Sequence, residues 1–513
     1  MMPSEFGPYR QLLKRTREIS FLNSSATVLN WDLETYLPSK AVPFRAEQLA
    51  YLGGTAHRKF TSAKMGQLIS ECEQQAFPAE SEAAANVREW RRSYNRATKI
   101  PSRLVEKMER TRALAREAWR KAREQSKFRL FRPHLEKILK VTLQFAGHWG
   151  YQESAYDALV EGYETGVTAK QLRALFAELR PAIGSILGPA REKFAGIPEN
   201  YLHGHYPIAA QQAFNRKVAE AIGFDFNAGR IDTTTHPFCE TLGPRDCRLT
   251  TRYDESNFAQ SLYGILHEAG HGLYEQGLLE EHFGTPMGAA VSLGIHESQS
   301  RLWENHVGRS RAFWEHWHQT ACGYFPDLKR FSPEQIYAGV NRVAPSFIRV
   351  EADQVTYDLH IMLRFEIEME LVEGRLKVVD VPARWNEAFE KLCGLKVTRD
   401  SDGCLQDIHW SIGVLGYFPT YTLGNLNAAQ LMHRALAEQG ALAGELARGE
   451  YSGLLRWLRA KVHHAGSRQR PQELMQRATG ESTRTRYHLD YLRQKFVKAR
   501  GVFESGGGQS WRA

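Results

Sequence analysis

The chain has 513 residues, 42% of them hydrophobic, which is enough to bury a large core. No apolar run approaches the about 20 residues needed to cross a bilayer, which argues against a membrane partner. The net charge of +9 is mixed with acids, as in KAREQSKFRLFR from Lys121 to Arg132, and no nucleic-acid motif accompanies it, so it reads as solvated surface.

The opening MMPSEFGPYRQLLKRTREIS carries acidic residues and no apolar centre, unlike a secretory signal. Six scattered cysteines without a Cys-x-x-Cys pair read as reduced thiols. Together these features lead us to expect a soluble, cytoplasmic protein. With no linker, repeat or low-complexity tract, residues 1–500 read as a single domain, with two lobes allowed. The tail at 501–513, GVFESGGGQSWRA, reads as disordered.

Apolar residues at helical spacing predict helices over Tyr9 to Leu29, Phe44 to Leu52, Glu80 to Arg96, Arg103 to Glu124, His134 to Gly147 and Ala169 to Phe194. From Gly229 the pattern changes. Ile231 to Phe238 and Cys247 to Tyr253 are rich in β-branched residues around Gly243-Pro244-Arg245, which predicts a small antiparallel sheet. Such a sheet serves either to align an extended peptide or as a structural cover.

The stretch SLYGILHEAGHGLYEQG, Ser261 to Gly277, carries His267-Glu268-Ala269-Gly270-His271. On a helix of about 3.6 residues per turn the two imidazoles share a face and reach one cation. Glu268 falls about 100° round the axis, where a base acting on water beside that cation belongs. Asn257 and Gln260 form a weak capping box, and Phe258, Leu262, Ile265, Leu266, Ala269 and Leu273 make the apolar stripe. Gly270 and Gly272 cost helix propensity, which suggests that a neighbouring helix or a substrate comes close there. Tyr274 and Gly277 exclude the extended motif with a third His. Glu297, in GIHESQSR after the loop Gly284 to Gly288, is the leading third ligand, with His296 and Glu304 as competitors.

Residues 345–373 read as one helix with an apolar stripe and a polar one of Arg349, Asp353, Tyr357, His360 and Arg364. In it Arg349 can pair with Asp353 one turn on, and an arginine suits a terminal carboxylate. The polar stripe is either a wet face or a cleft wall. The Gly- and aromatic-rich stretch Gly403 to Asn425 reads as irregular, with His409 and Tyr421 as candidate donors to an oxyanion, or as a structural knot.

HEAGH at 267–271, HESQ at 296–299, His236-Pro237-Phe238, Asp246 to Thr250, Ile348-Arg349 through Ala352-Asp353 and GCLQDIHW at 403–410 together resemble the thermostable carboxypeptidase Taq family of metallocarboxypeptidases. The resemblance extends from about Tyr9 and Trp31-Asp32 to Ala478-Thr479-Gly480 and Lys495. It implies a mainly α-helical, saddle- or clam-shaped fold with a deep groove, usually homodimeric. It also implies release of single C-terminal residues from peptides, with broad preference and poor tolerance of C-terminal proline. By the same resemblance His267, His271 and Glu297 are metal ligands and Glu268 the general base and acid. Arg349, His409 and Tyr421 are substrate or transition-state contacts, joined by Arg248 and His236. One divalent ion per subunit is implied, zinc first and cobalt second. A metal-dependent endopeptidase or dipeptidase on the same site, or a metal-free helical peptide-binding protein, are the alternatives.

Overall fold

The computed structural model describes residues 6–75, 77–234 and 237–498. The expected tail at 501–513 and His236 lie outside the described residues. Helices fill the first part of the chain: α1 (Gly7–Thr35), α2 (Val42–Phe60), α3 (Ala63–Gln74), α4 (Glu82–Thr98), α5 (Ser102–Glu124), α6 (Phe128–Trp149), α7 (Ala155–Val160) and α8 (Ala169–Phe194). α8 keeps its predicted ends because Thr168 and Gln171 cap its start reciprocally. α3 escapes the periodicity reading; its buried stripe of Met65, Leu68, Ile69 and Cys72 is only two turns long.

After α9 (Ile208–Ala221) come β1 (Gly229–Thr233), β2 (Cys239–Gly243) and β3 (Asp246–Thr251), in the order β1-β3-β2. β2 pairs with β3 antiparallel, but β1 pairs with it parallel, so the sheet is mixed rather than wholly antiparallel. Of the strand predicted over 231–238, Ile231 to Thr233 belong to β1, and the strand that turns at Pro244-Arg245 into β3 is β2, which starts only at Cys239. Arg245 takes the positive φ of 61° that this tight turn requires. Alternation along β3 turns Cys247, Leu249 and Thr251 to one face and Arg248 to the other.

The second half contains α10 (Phe258–Glu275), α11 (Leu293–Arg301), α12 (Arg311–Tyr324), α13 (Pro333–Val340), α14 (Tyr357–Val372), α15 (Val381–Cys393), α16 (Pro419–Glu438), α17 (Leu442–Ala447), α18 (Ser452–Lys461), α19 (Pro471–Thr479) and α20 (Thr485–Arg493). A π-helical segment, Leu302–Gly308, continues α11. The helix predicted over 345–373 begins only at Tyr357. Asp353 accepts the backbone N–H groups of Val355, Thr356 and Ala344 and the Thr356 hydroxyl, a local network that competes with helix.

Two large apolar clusters form the core. One gathers residues of α5, α6, α8, α14 and α15; the other gathers residues of α9, β3, α10, α12 and α18. α16 belongs to both, giving Leu423 and Leu426 to the first and Ala428 and Leu431 to the second. A smaller cluster of Tyr9, Leu12, Met65, Leu68 and Trp90 joins α1, α3 and α4. All six cysteines are free, as expected. Among the described residues no helix is long and apolar enough to cross a membrane.

Candidate metal centre

α10 starts where Asn257 accepts the Ala259 N–H; Asn257 caps the helix as expected, but Gln260 does not complete the reciprocal box. Its apolar stripe packs inward, and behind it α11 crosses so closely that a Cβ on Gly270 would sit 2.6 Å from the Gln299 carbonyl oxygen and from Ser300 Cα. The close approach at Gly270 is therefore a neighbouring helix. On the far side of α11, Gly424 of α16 leaves room that Glu297 fills; a Cβ there would overlap the Glu297 side chain. Two glycines thus let three helices converge on one carboxylate.

The result is a cluster in which one ligand atom each from His267, His271 and Glu297 lies within 4.8 Å of the others. Glu297 Oε2 is 3.6 Å from His267 Nε2 and 3.4 Å from His271 Nε2. Each imidazole is fixed from behind. His267 Nδ1 lies 3.0 Å from Glu304 Oε2, and His271 Nδ1 lies 3.1 Å from the His296 carbonyl oxygen and 2.5 Å from His296 Nδ1. His296 Nε2 in turn reaches Glu275 Oε1 at 2.9 Å. With a proton on each Nδ1, the lone pairs on the two Nε2 atoms face Glu297, as second-layer acceptors arrange in metal sites. The donor set, two partly exposed imidazoles and one buried carboxylate, fits a divalent cation.

His296 and Glu304, weighed from sequence as rival ligands, stand one layer back. Arg301 and Glu275 were missed: the first only continued a helix and the second followed the motif by one turn. The π-helical turn that aims Glu304 at His267 has no sequence signature that periodicity detects.

Electrostatics separates the carboxylates. Burial pushes Glu268 up to about 7, with His267 opposing and Glu297 adding to the rise. Burial also acts to raise Glu297, but Arg301 and His267 outweigh it and hold that carboxyl well below the usual range. Glu304, despite its burial, is pulled down to about 2 by Arg301, His267 and Arg309. Burial and the neighbouring His296 lower His271 to about 4.

A second charged group flanks the cluster. Asp407 Oδ1 accepts Arg349 Nε and Nη2 at 3.0 and 2.9 Å, and its Oδ2 accepts Arg364 Nε at 2.6 Å. Arg349 therefore pairs with Asp407, not with Asp353, because it lies in a single 3-10 turn, Arg349–Glu351, and the α-helix that would bring the two together starts only at Tyr357. Arg349 Nη1 donates to the Tyr357 hydroxyl at 2.8 Å, and its guanidinium stands 4.6 Å from the Tyr421 ring centre. His409 Nε2 and the Tyr421 hydroxyl are 3.2 Å apart. Burial, against the pull of Asp407 and with Arg349 and Arg364 reinforcing it, lowers His409 to about 3; burial raises Tyr421 well above its ordinary value. Both are neutral near pH 7. Tyr421 lies on the first turn of α16, so the stretch expected to be irregular through Asn425 is irregular only to Phe418.

His360 and Arg364 of the supposed polar stripe are wholly buried, so that face is neither wet nor a cleft wall throughout. Arg248 is held by both oxygens of Asp246, its guanidinium 4.3 Å from the Trp31 ring centre of α1, on the sheet face opposite α10. The structure thus brings His267, Glu268, His271 and Glu297 together, sets Arg349, His409 and Tyr421 in a neighbouring group, and leaves Arg248 apart. Phe238 donates its N–H to the Thr250 hydroxyl, and its carbonyl accepts that hydroxyl and the Thr250 N–H, tying Phe238 to β3.

The family profile described as carboxypeptidase Taq (M32) metallopeptidase matches residues 11–496. Thermostable carboxypeptidase 1 of Thermus thermophilus is 43% identical over 505 residues, covering 96% of this chain and 99% of that protein. Carboxypeptidase 1 of Bacillus subtilis is 36% identical, covering 94% and 96%. Among solved structures, an M32 carboxypeptidase from Deinococcus radiodurans R1 superposes with a TM-score of 0.92 at 38% identity, covering 96% of this chain and 99% of that one. A Pyrococcus furiosus carboxypeptidase superposes with a TM-score of 0.93 at 33% identity, covering 96% and 99%. With a helical fold of this kind, a His2Glu cluster and relatives matched almost end to end, the chain belongs to the carboxypeptidase Taq (M32) family of metallopeptidases and is a metallocarboxypeptidase.

Proposed function

We propose that this enzyme releases single amino acids from peptide C-termini, with broad side-chain tolerance and poor cleavage before a terminal proline. One divalent cation, zinc first and cobalt second, is held by His267, His271 and Glu297. The observation that carries the reading is the convergence of two Nε2 atoms and one carboxylate oxygen, with Glu268 on the same helix beside the first of them. When bound, the cation supplies Lewis-acid polarisation and a more acidic attacking water.

This chain's own residues do the rest. Glu268 takes the proton from the attacking water and passes it to the leaving amine. His409 and Tyr421, both neutral, share one hydrogen bond; with His409 Nε2–H donating to the Tyr421 oxygen, the Tyr421 hydrogen stays free to donate toward the oxygen on which negative charge develops. Arg349 keeps hydrogens not used by Asp407 and Tyr357, and these receive the terminal carboxylate. Arg248 and His236 are proposed substrate contacts on the family resemblance alone. The reading includes a single domain, a homodimer, a cytoplasmic setting and no nucleic-acid or membrane partner.

Time-resolved mass spectrometry of an unblocked peptide tests it. The expected result is a ladder of single-residue losses from the C-terminus, abolished by a chelator and restored by zinc or cobalt. Internal cuts or two-residue steps would overturn it in favour of an endopeptidase or dipeptidase.

A further inference from the structure

Arg301 ends α11 one turn after Glu297 and touches two carboxylates of different standing. Its Nε donates to Glu297 Oε1 at 2.7 Å, and its Nη1 lies 3.3 Å from Glu304 Oε2. That same Glu304 oxygen takes His267 Nδ1, while Arg309 Nη2 reaches the other at 3.3 Å. Glu297 is left with Oε2 facing the two Nε2 atoms. Ser300 does not compete for it strongly: its hydroxyl is 3.1 Å from Oε2 but 2.7 Å from the Glu297 carbonyl oxygen, and its single hydrogen goes to the nearer acceptor. The guanidinium is fixed further by the Tyr357 ring, 4.3 Å away, whose hydroxyl accepts from Arg349.

We propose that Arg301 is a positioning residue that occupies Glu297 Oε1, so that Glu297 meets the cation through Oε2 alone, and that it ties this constraint to the carboxylate orienting His267. One guanidinium then sets two of the three ligands. Freed of Arg301, Glu297 turns both oxygens inward and takes the coordination position that substrate and water need. A lysine in its place keeps the charge but lacks the planar fork that spans two carboxylates and stacks on a ring. The inference rests on the ligand assignment proposed above.

The test uses full-length protein loaded with cobalt(II), reading visible absorption and the affinity from competition with a chelator, with thermal unfolding to show that each variant is folded. Arg301→Lys should weaken cobalt binding about 10- to 100-fold, the range for groups that orient metal ligands. It should also lower the absorption intensity, as a rise in coordination number does. Glu304→Gln should weaken binding while leaving the intensity near that of the parent, since it releases His267 but not Glu297. A folded Arg301→Lys protein with parental affinity and spectrum overturns the inference. His267→Ala separates the two levels: cobalt affinity unchanged in that variant means that the ligand assignment, not the clamp, has failed.

Discussion

The two neighbouring charged groups are built from similar residues and behave oppositely. In the His267, His271 and Glu297 cluster every side chain is held from behind, by Glu304, His296 or Arg301, and its free atom points to a shared centre. In the Asp407 group the carboxylate is saturated by two arginines, and Arg364 is fully buried. The first arrangement spends its hydrogen bonds on orientation and keeps its inner face for a ligand; the second spends them on each other. Replacing Glu268 should therefore cost chemistry, whereas replacing Asp407, which touches no proposed ligand, should cost stability.

The largest effect should come from Glu268→Gln, which removes the proposed proton acceptor without touching a proposed ligand. Turnover should fall about 10^3-fold or more while metal content and thermal stability stay near those of the parent. Steady-state kinetics with metal analysis checks this, and near-parental turnover would remove Glu268 from the mechanism. Asp407→Asn should do the converse. It leaves Arg349 and Arg364 buried without their counter-charge and should lose about 3–5 kcal/mol of stability in urea unfolding. Because Asp407 is held far below the usual carboxylate range by Arg349 and Arg364, its contribution is present above about pH 4 and is lost as pH falls below that value.

A third buried carboxylate sharpens the contrast by having too little compensation. Glu164 accepts the Gly294 N–H at the start of α11, yet burial outweighs this and the help of Ser292, raising it to about 7. The folded state therefore binds this proton more tightly than the unfolded chain. Stability from this group is complete below about pH 4.5 and declines by about 3 kcal/mol as pH rises through about 7. Glu164→Gln should flatten that decline, read from urea midpoints at pH 5 and pH 8; an unchanged slope would refute it. The smallest effect concerns recognition by the unmodified enzyme. If Arg349 holds the terminal carboxylate, an amidated peptide should be cleaved about 10- to 100-fold less efficiently than its free acid. Equal cleavage would reassign that role.

The helix carrying His267 and His271 was legible because its motif and its apolar stripe share one period, and the placement of Glu297 beside them because a helix, a loop and a returning helix leave few other acids in reach. α8 was legible to its ends because both partners of its capping box are in the sequence. What escaped depends on contacts distant in the chain or on local competition with regular structure. Arg349 finds Asp407 58 residues on, a partner that no helical spacing suggests. Asp353 delays α14 through its own side chain, so five residues that spell a stripe on paper never form one. The parallel pairing of β1 with β3 depends on a crossover that β-branched composition does not encode.

The π-helical turn at Leu302–Gly308 closes with the Arg309 N–H on the Glu304 carbonyl, five residues back rather than four. That single extra residue makes spacing in this segment as consequential as side-chain identity. Shortening it by one position would restore an ordinary α-helix and swing one flank by about 100° relative to the other. Glu304 and Arg309 would then no longer stand in register with His267 and Arg301, although every amino acid named at the centre would still be present. Among variants of this enzyme, a one-residue gap here should be far less tolerated than a conservative replacement.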